Sequence, residues 1–364
     1  MLYNWQQADW PNFRYDLKGI EGLLPTFADK VGQVSGILRA LPESARHEAV
    51  ADVLVAEAIK TSEIEGESLS RPDVASSVRN QLGLNATFEA VRDLKSAGAA
   101  ELAVKVRSSW DVPLTEALLF DWHRTLFQGT RDLNLGCWRS HTAHMQVITP
   151  GIGEPVVHFE APPSDQVPKE ISAFFKWFTE SRERILQAPV RSALAHLYFE
   201  SIHPFEDGNG RIGRAIAEKA LSEGLNRPIL LSLSRAIEAN RSAYYDALKV
   251  AQRSNDVTDW IVYFVHTLLE AQEATEGLVN FVLKKAHFFD RYRGQLEPRQ
   301  LKVVQRVLQA GPNGFEGGLN ARKYKNLTQV SKATATRDLQ DLVAKGVLIP
   351  VGAGRSARYE LNLG

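Results

Sequence analysis

The sequence predicts a mostly α-helical fold with one short β-hairpin, followed by a separate basic unit of helices and strands. Three observations carry this. Apolar residues recur at three- and four-residue spacing through Val50, Val53, Leu54, Ala58 and Ile59, through Leu194, Leu197, Tyr198 and Ile202, and through Trp260, Ile261, Phe264, Val265 and Leu268. Before the C-terminal end, only Met145 to Phe159 reads as two β-prone runs around a Pro/Gly turn. From Glu297 onward, eleven Lys and Arg face five Asp and Glu, a net +6 in a chain whose formal charge is zero.

The 364 residues, 44% of them hydrophobic, suffice for two or three domains, and the neutral balance excludes a polyanion binder over the whole surface. Cys137 is the only cysteine, so no internal disulfide forms. The first ten residues lack a basic start and an apolar run, and no apolar stretch is long enough to span a bilayer. The expectation is a cytoplasmic protein without membrane contact.

Residues 1–42 read as an aromatic arm (Tyr3, Trp5, Trp10, Phe13, Tyr15, interrupted by Pro11) packed on the body. Residues 43–110 form an N-terminal helical region. Its first helix, from Glu43 to about Leu69, closes on Thr61-Ser62-Glu63-Ile64-Glu65-Gly66-Glu67. Gly66 suits a C-terminal cap, but Glu63, Glu65 and Glu67 stand where the helix dipole disfavours negative charge, so another group must demand it. Residues 111–285 form the core. They begin with a helix over 114–127, leave helix at Gly136 to Arg139, pass the hairpin, and resume as helices over 167–179, 190–202 and 257–279. A linker is expected from Lys284 to Pro298, and 297–364 is the last unit.

The chain is organised around His203-Pro204-Phe205-Glu206-Asp207-Gly208-Asn209-Gly210-Arg211-Ile212-Gly213-Arg214. Pro204 ends one helix, and another starts near Arg211. Gly208 and Gly210 let the loop curl so that its amides and the free N–H groups of the new helix face one point, which suits a phosphate. Arg211 and Arg214, three residues apart, add planar cationic forks on one face. His203 can take a proton near neutral pH, and Asp207 is a hard oxygen ligand for Mg2+. Singly, each has a plain reading as a cap, a turn or a solvated face; together they specify phosphate chemistry.

This stretch resembles the signature of the Fic (filamentation induced by cAMP) family, His-Pro-Phe-x-Asp/Glu-Gly-Asn-Gly-Arg-x-x-Arg, at every fixed position. The resemblance implies a Fic helical bundle with a small β-hairpin flap that transfers AMP from ATP to a hydroxyl side chain of a protein. It implies that His203 deprotonates the hydroxyl and Asp207 holds Mg2+. Gly208, Asn209 and Gly210 would cradle the phosphates, and Arg211 and Arg214 would clamp them. Thr61 to Gly66 fits the family's inhibitory pattern Ser/Thr-x-x-x-Glu-Gly/Asn, placed before the signature. By that resemblance Thr61, Glu65 and Gly66 form an inhibitory element in which Glu65 pairs with Arg214 and keeps it from the ATP γ-phosphate. The hairpin resembles the family's flap, on which a target segment lies as an added strand. Tyr245 and Gln252 resemble its adenine pocket, although tyrosines beside Leu248 also suit a core. His158, alone in a strand, reads as a packing or surface group.

The last unit resembles a winged helix-turn-helix domain. Its helix from Ser331 would present Lys332, Thr334, Thr336 and Arg337 to a DNA groove, with Arg355 and Arg358 on the wing. Winged helices also serve as protein-docking or dimerisation modules. The resemblances therefore imply a protein adenylyltransferase with ATP and Mg2+, a hydroxyl-bearing target protein that includes the protein itself as a candidate, and DNA or a second copy as further candidate partners. The rival readings are a DNA-binding regulator whose signature acts on itself or senses nucleotide, and an enzyme of the same fold that removes AMP or moves another phosphate-containing group.

Overall fold

A computed structural model describes residues 2–131, 133–149, 156–311, 315, 317–352 and 358–363. The chain divides into two compact units, one of Met1–Gly32 with Val50–Thr275 and one of Gln33–Ala49 with Glu276–Gly364. The expected class holds: the described elements are mostly helical, with two two-stranded antiparallel sheets.

In the first unit the organising element is α7 (Ala188–Ile202), in which every residue is buried. A helix that is apolar on all sides needs cover on all sides. One core cluster joins Leu194 and Leu197 to Trp260, Ile261, Phe264 and Leu268, and another joins Tyr198, Phe199 and Ile202 to Trp122, Phe174 and Ile216. Two of the polar side chains that α7 carries into this interior, Arg191 and Ser192, are satisfied by their neighbours. Arg191 donates to Glu223 at 2.9 Å and to the carbonyls of Phe178 and Ala220, while Ser192 donates to the carbonyl of Ala217. The helix following the signature, α8 (Asn209–Gly224), packs closely along α7.

Before the hairpin come α1 (Leu23–Ala40), α2 (Glu43–Ile64), α3 (Arg71–Gln81), α4 (Leu94–Ser108) and α5 (Glu116–Leu126). The hairpin pairs β1 (Gln146–Thr149) with β2 (Val156–Glu160), followed by α6 (Val167–Arg184). The aromatic arm packs as expected: the Trp5 indole donates to the carbonyl of Glu160, that of Trp10 to Glu170, and Asn4 is buried against Ser201. However, residues 23–40 of the expected arm are helical. α9 (Leu233–Ala239), α10 (Arg241–Ala251) and α11 (Thr258–Arg291) follow α8.

The expected linker from Lys284 is a second correction, because α11 runs unbroken to Arg291. Phe288, and Tyr292 just past the helix end, belong to the second unit's core, which keeps the helix going through a polar-looking stretch. That unit continues with α12 (Pro298–Leu308), α13 (Ala321–Thr328), α14 (Lys332–Ala344) and the hairpin of β3 (Leu348–Val351) with β4 (Arg358–Leu361). Asp338 of α14 is buried and takes a two-pronged bond from Arg299 of α12 at 2.6 and 2.9 Å, and a third from the Tyr324 hydroxyl of α13. Arg299 is therefore committed to structure. Among the described residues no helix is long and apolar enough to cross a membrane.

In the first unit, α2 is anchored by Glu57, whose carboxylate accepts from the Ser234 amide and the Ser232 and Ser234 hydroxyls at the start of α9. Burial, and after it the charge of Glu57, push the carboxyl of Glu218 on α8 up to about 8, against the pull of Arg107. Folded Glu218 thus holds a proton that the unfolded chain gives up above about pH 4.3. The native state binds more protons through this window, so stability falls as pH rises from about 4.5 to about 8. Urea unfolding of Glu218→Gln at pH 5, 7 and 9 is expected to lack this slope and to gain a few kcal/mol over wild type at pH 9. Parallel curves for the two proteins would refute the assignment.

Candidate active site

The corner between α7 and α8 is forced by Pro204. A residue before proline avoids the right-handed helical region, and His203 takes the left-handed one, at φ 51° and ψ 58°. A side chain held there costs on the order of 1–2 kcal/mol, so the surroundings must fix it. Three do. The buried Arg139 donates to the carbonyls of His203 at 2.8 Å, Ile202 and Pro162, and to the Ser164 hydroxyl, while its amide donates to the carbonyl of Pro204. Asn209 grips Phe205, accepting from its N–H and donating to its carbonyl, both at 2.9 Å. His123 lies flat on Phe205 at 4.2 Å between ring centres. Its Nδ1 accepts from the amide of Gly136, which leaves the ring proton on Nε2, 3.2 Å from the Asp207 carbonyl. Burial drives the His123 ring down to about 4, which keeps it neutral for that role.

The loop ends at Gly208, whose φ of 81° a side chain would resist, and a Cβ there would stand 2.7 Å from the Phe127 ring. The first intrahelical bond of α8 runs from Ile212 N–H to the Gly208 carbonyl. The amides of Asn209, Gly210 and Arg211 therefore precede it and form the anion-attracting end of the helix. The Asn209 side chain is turned into its own loop, so what it can offer an anion is its backbone N–H. Asp207, with its side chain 60% exposed, accepts from the Gly208 amide and lies 3.4 Å from Arg211. The described residues contain no group of three or more His, Cys, Asp or Glu arranged to hold a metal. One open carboxylate beside an anion cradle fits Mg2+, which keeps waters and shares phosphate oxygens.

The tip of α2 lies across this cradle. Arg214, 1% exposed, donates through Nε to the Thr61 hydroxyl at 2.9 Å and through Nη2 to the Thr61 carbonyl and to Glu65 Oε1, at 3.0 and 2.7 Å. Burial alone would pull this guanidinium down, but Glu65 and the other acidic neighbours more than offset that and raise it. Arg211 pairs with Glu67 at 2.5 Å, stacks over Phe127, and shares Glu67 with Lys95. Glu63 pairs with Lys60. Each acid that the helix dipole disfavours thus faces a cation. A Cβ on Gly210 would come within 2.2 Å of Glu65 Oε1, so the carboxylate rests directly on the first turn of α8. Gly66, at φ 81°, makes the turn out of α2.

A cleft of about 560 Å3 opens beside the loop, lined by His203, Asp207, Glu65, Val147 and Ile148 of β1, and Tyr244 and Tyr245 of α10. Tyr245 is half-exposed, with its hydroxyl 3.3 Å from the Ile64 carbonyl. Gln252 also lines the cleft, but it is buried and its amide donates to the Glu200 carbonyl. His158, read from sequence as a packing or surface group, lines the same cleft. Sequence reasoning missed Arg139, His123 and Glu200, and gave Glu67 no partner. Arg139 and His123 lie 64 and 80 residues before His203, and no local pattern ties them to it. Glu200 carried a readable signal, a single carboxylate in an apolar helix one turn before the histidine.

Residues 113–221 match the model of the Fic/DOC family, and residues 3–84 that of a domain of unknown function (DUF4172). A probable protein adenylyltransferase of Aquifex aeolicus is 34% identical over 96 residues, which is 26% of this chain and 29% of that one. The protein adenylyltransferase Fic of Culex quinquefasciatus is 31% identical over 105 residues, 29% of this chain and 19% of that one. The matches thus span less than a third of these relatives. Among solved structures, a Fic family protein from Desulfovibrio desulfuricans G20 superposes with a TM-score of 0.53 at 19% identity, over 97% of this chain and 98% of that chain. A Fic-domain signalling protein from Bacteroides thetaiotaomicron superposes at 0.52, with 16% identity, over 71% and 97%. Residues 113–221 carry a Fic/DOC family domain, and together these likenesses support a Fic family protein.

Proposed function

We propose that the protein is an adenylyltransferase that moves AMP from ATP to a Ser, Thr or Tyr hydroxyl of a protein and is restrained by its own α2 tip. The observation that carries this reading is the meeting, in one cleft, of His203, the free amides of α8 and the open carboxylate of Asp207, under β1. The match of residues 113–221 to the Fic/DOC family and the partial likeness of the chain to named adenylyltransferases support it. His203 takes the proton of the target hydroxyl, and the oxygen attacks the α-phosphorus. A new phosphorus–oxygen bond forms, the bond to the β-phosphate oxygen breaks, and pyrophosphate leaves. The amides of Asn209, Gly210 and Arg211 hold phosphate oxygens through the transfer. Mg2+ on Asp207 would supply neutralising charge to the phosphates. Tyr245 flanks the adenine side of the cleft, and the target segment lies along β1, whose strand partner among the described residues is β2.

The restraint is an anion exchange. Glu65 places a carboxylate on the helix terminus and on Arg214, where a terminal phosphate would bind, and Thr61 holds the same guanidinium from behind. A partly buried pair of this kind biases a site by about 1–3 kcal/mol, roughly five- to 150-fold. Transfer of α-labelled ATP onto protein, with Mg2+ present, is expected to be weak for wild type, higher by about that factor for Glu65→Gly, and absent for His203→Ala and after chelation of Mg2+. Equal, background-level labelling by Glu65→Gly and His203→Ala, with candidate targets added, would rule against AMP transfer.

A second reading concerns residues 297–364. We propose a winged helix-turn-helix, supported by the three-residue step from α13 to α14, where Gln329 is left-handed, and by the exposed Lys332, Thr336 and Arg337 ahead of the β3–β4 hairpin. Arg358 begins β4, whereas Arg355 lies outside the described residues. Under this reading the full-length protein binds duplex DNA with an affinity that falls steeply with salt. Lys332→Ala with Arg337→Ala is expected to lower the slope of log affinity against log salt by about two. An unchanged slope would point to protein docking instead.

A further inference from the structure

His203 does not face its cleft alone. One turn earlier on α7, Glu200 is buried, and its Oε2 lies 3.6 Å from His203 Nδ1. That is ion-pair distance and longer than a hydrogen bond, as is common for catalytic contacts before a substrate binds. Both His203 Nδ1 and Glu200 Oε1 are buried polar atoms with no hydrogen-bond partner among the described residues. Buried polar atoms without partners are costly, and for His203 Nδ1 the Glu200 carboxylate, whose Oε2 stands 3.6 Å away, is an acceptor within reach.

The neighbourhood is shaped for a carboxylate at this place. A Cβ on Gly213 would stand 2.3 Å from Glu200 Oε1 and 3.2 Å from Nδ1 of His196, so the absence of a side chain at 213 leaves the room that the carboxylate fills. His196, one turn before Glu200, is fully buried, with the Tyr244 hydroxyl 2.9 Å from its Nε2. Burial alone would push the Glu200 carboxyl up, yet His203, His196 and then Arg214 outweigh it, and the net direction is down. Glu200 is therefore held as an anion inside the protein, where an uncompensated charge is expensive.

We infer that Glu200 is a positioning residue for His203: its carboxylate, seated in the space left by Gly213, holds the imidazole proton on Nδ1 and leaves Nε2 free to take the proton of the target hydroxyl. A base oriented by a third group in this way has the correct tautomer before the substrate arrives, and its cationic form is stabilised once the proton has moved. Glu200 touches neither nucleotide nor target in this scheme. The inference rests on the AMP-transfer reading for its consequence but not for its geometry.

The test uses the full-length protein with Glu65→Gly as parent. Histidine-labelled 15N spectra at pH 8, with His203 assigned by its loss in His203→Ala, are expected to give the Nδ1–H tautomer in the parent. That preference is expected to weaken in Glu200→Gln. In steady-state transfer, Glu200→Gln is expected to lose about ten- to 100-fold in kcat while KM for ATP stays within about twofold, the range typical of groups that orient a reacting ligand. Gly213→Ala, which crowds Oε1, is expected to follow the same pattern. An Nε2–H tautomer in the parent, or full turnover by Glu200→Gln, overturns the inference and leaves AMP transfer standing. A parent that transfers no AMP overturns the functional reading, and the tautomer then decides the positioning role by itself.

Discussion

The buried guanidinium of Arg214 is the constraint around which the site is arranged. Arginine does not shed its proton in a protein, so a side chain 1% exposed must always be given an anion or several oxygens. Here three groups at the end of α2 and in the turn after it meet that need: the hydroxyl and carbonyl of Thr61 and the carboxylate of Glu65. Even so, one nitrogen of the fork, Nη1, has no partner among the described residues. A phosphate has oxygens enough to serve the whole fork, and the amides at the start of α8 point to the same place. In this structure Glu65 supplies the anion at Arg214, and the proposed regulation concerns whether the protein or the nucleotide supplies it.

Such an exchange works only if the loop beneath it does not move. The signature loop is fastened by side chains from distant positions, Arg139 to its carbonyls and His123 to the Asp207 carbonyl, and by Asn209 from within. All are buried and all bind backbone. This explains why Asn209 faces inward although its neighbours face the cleft: a left-handed histidine followed by proline has few hydrogen bonds of its own, and the asparagine provides two. The two carboxylates that face this loop from the end of α2 are 29% exposed and reachable by water and salt.

The sequence disclosed the site better than its support. The signature works through residues adjacent in the chain, whose torsional and dipolar consequences can be read locally, and the helices around it follow from apolar spacing. The helix at Leu23–Ala40 was missed because Pro25, Gly32 and Gly36 weaken its pattern, and tertiary burial of Phe27 and Val31 outweighs those propensities. The continuation of α11 to Arg291 was missed because Lys284, Lys285 and His287 look like a linker, while Phe281, Phe288 and Tyr292 keep the helical spacing. Arg139 and His123 were invisible for a different reason, since nothing local distinguishes a buried arginine from a surface one.

The α2 tip also has a geometry that one acidic residue would not explain. The helix ends at Ile64, and residues 65 and 66 form a turn in which Gly66 is left-handed, so Glu65 and Glu67 no longer follow the helical spacing. The arginines opposite are on a helix, where every third or fourth side chain shares a face. Glu65 meets Arg214, and Glu67 meets Arg211, in antiparallel order. Two carboxylates two residues apart thus match two guanidinia three residues apart only because one partner has left its helix. Extending α2 by another turn would swing Glu67 away from Glu65 and break the match. The glycine at 66 is therefore part of the contact itself, and Glu65 and Glu67, which looked misplaced at a helix end, complement Arg214 and Arg211 of α8.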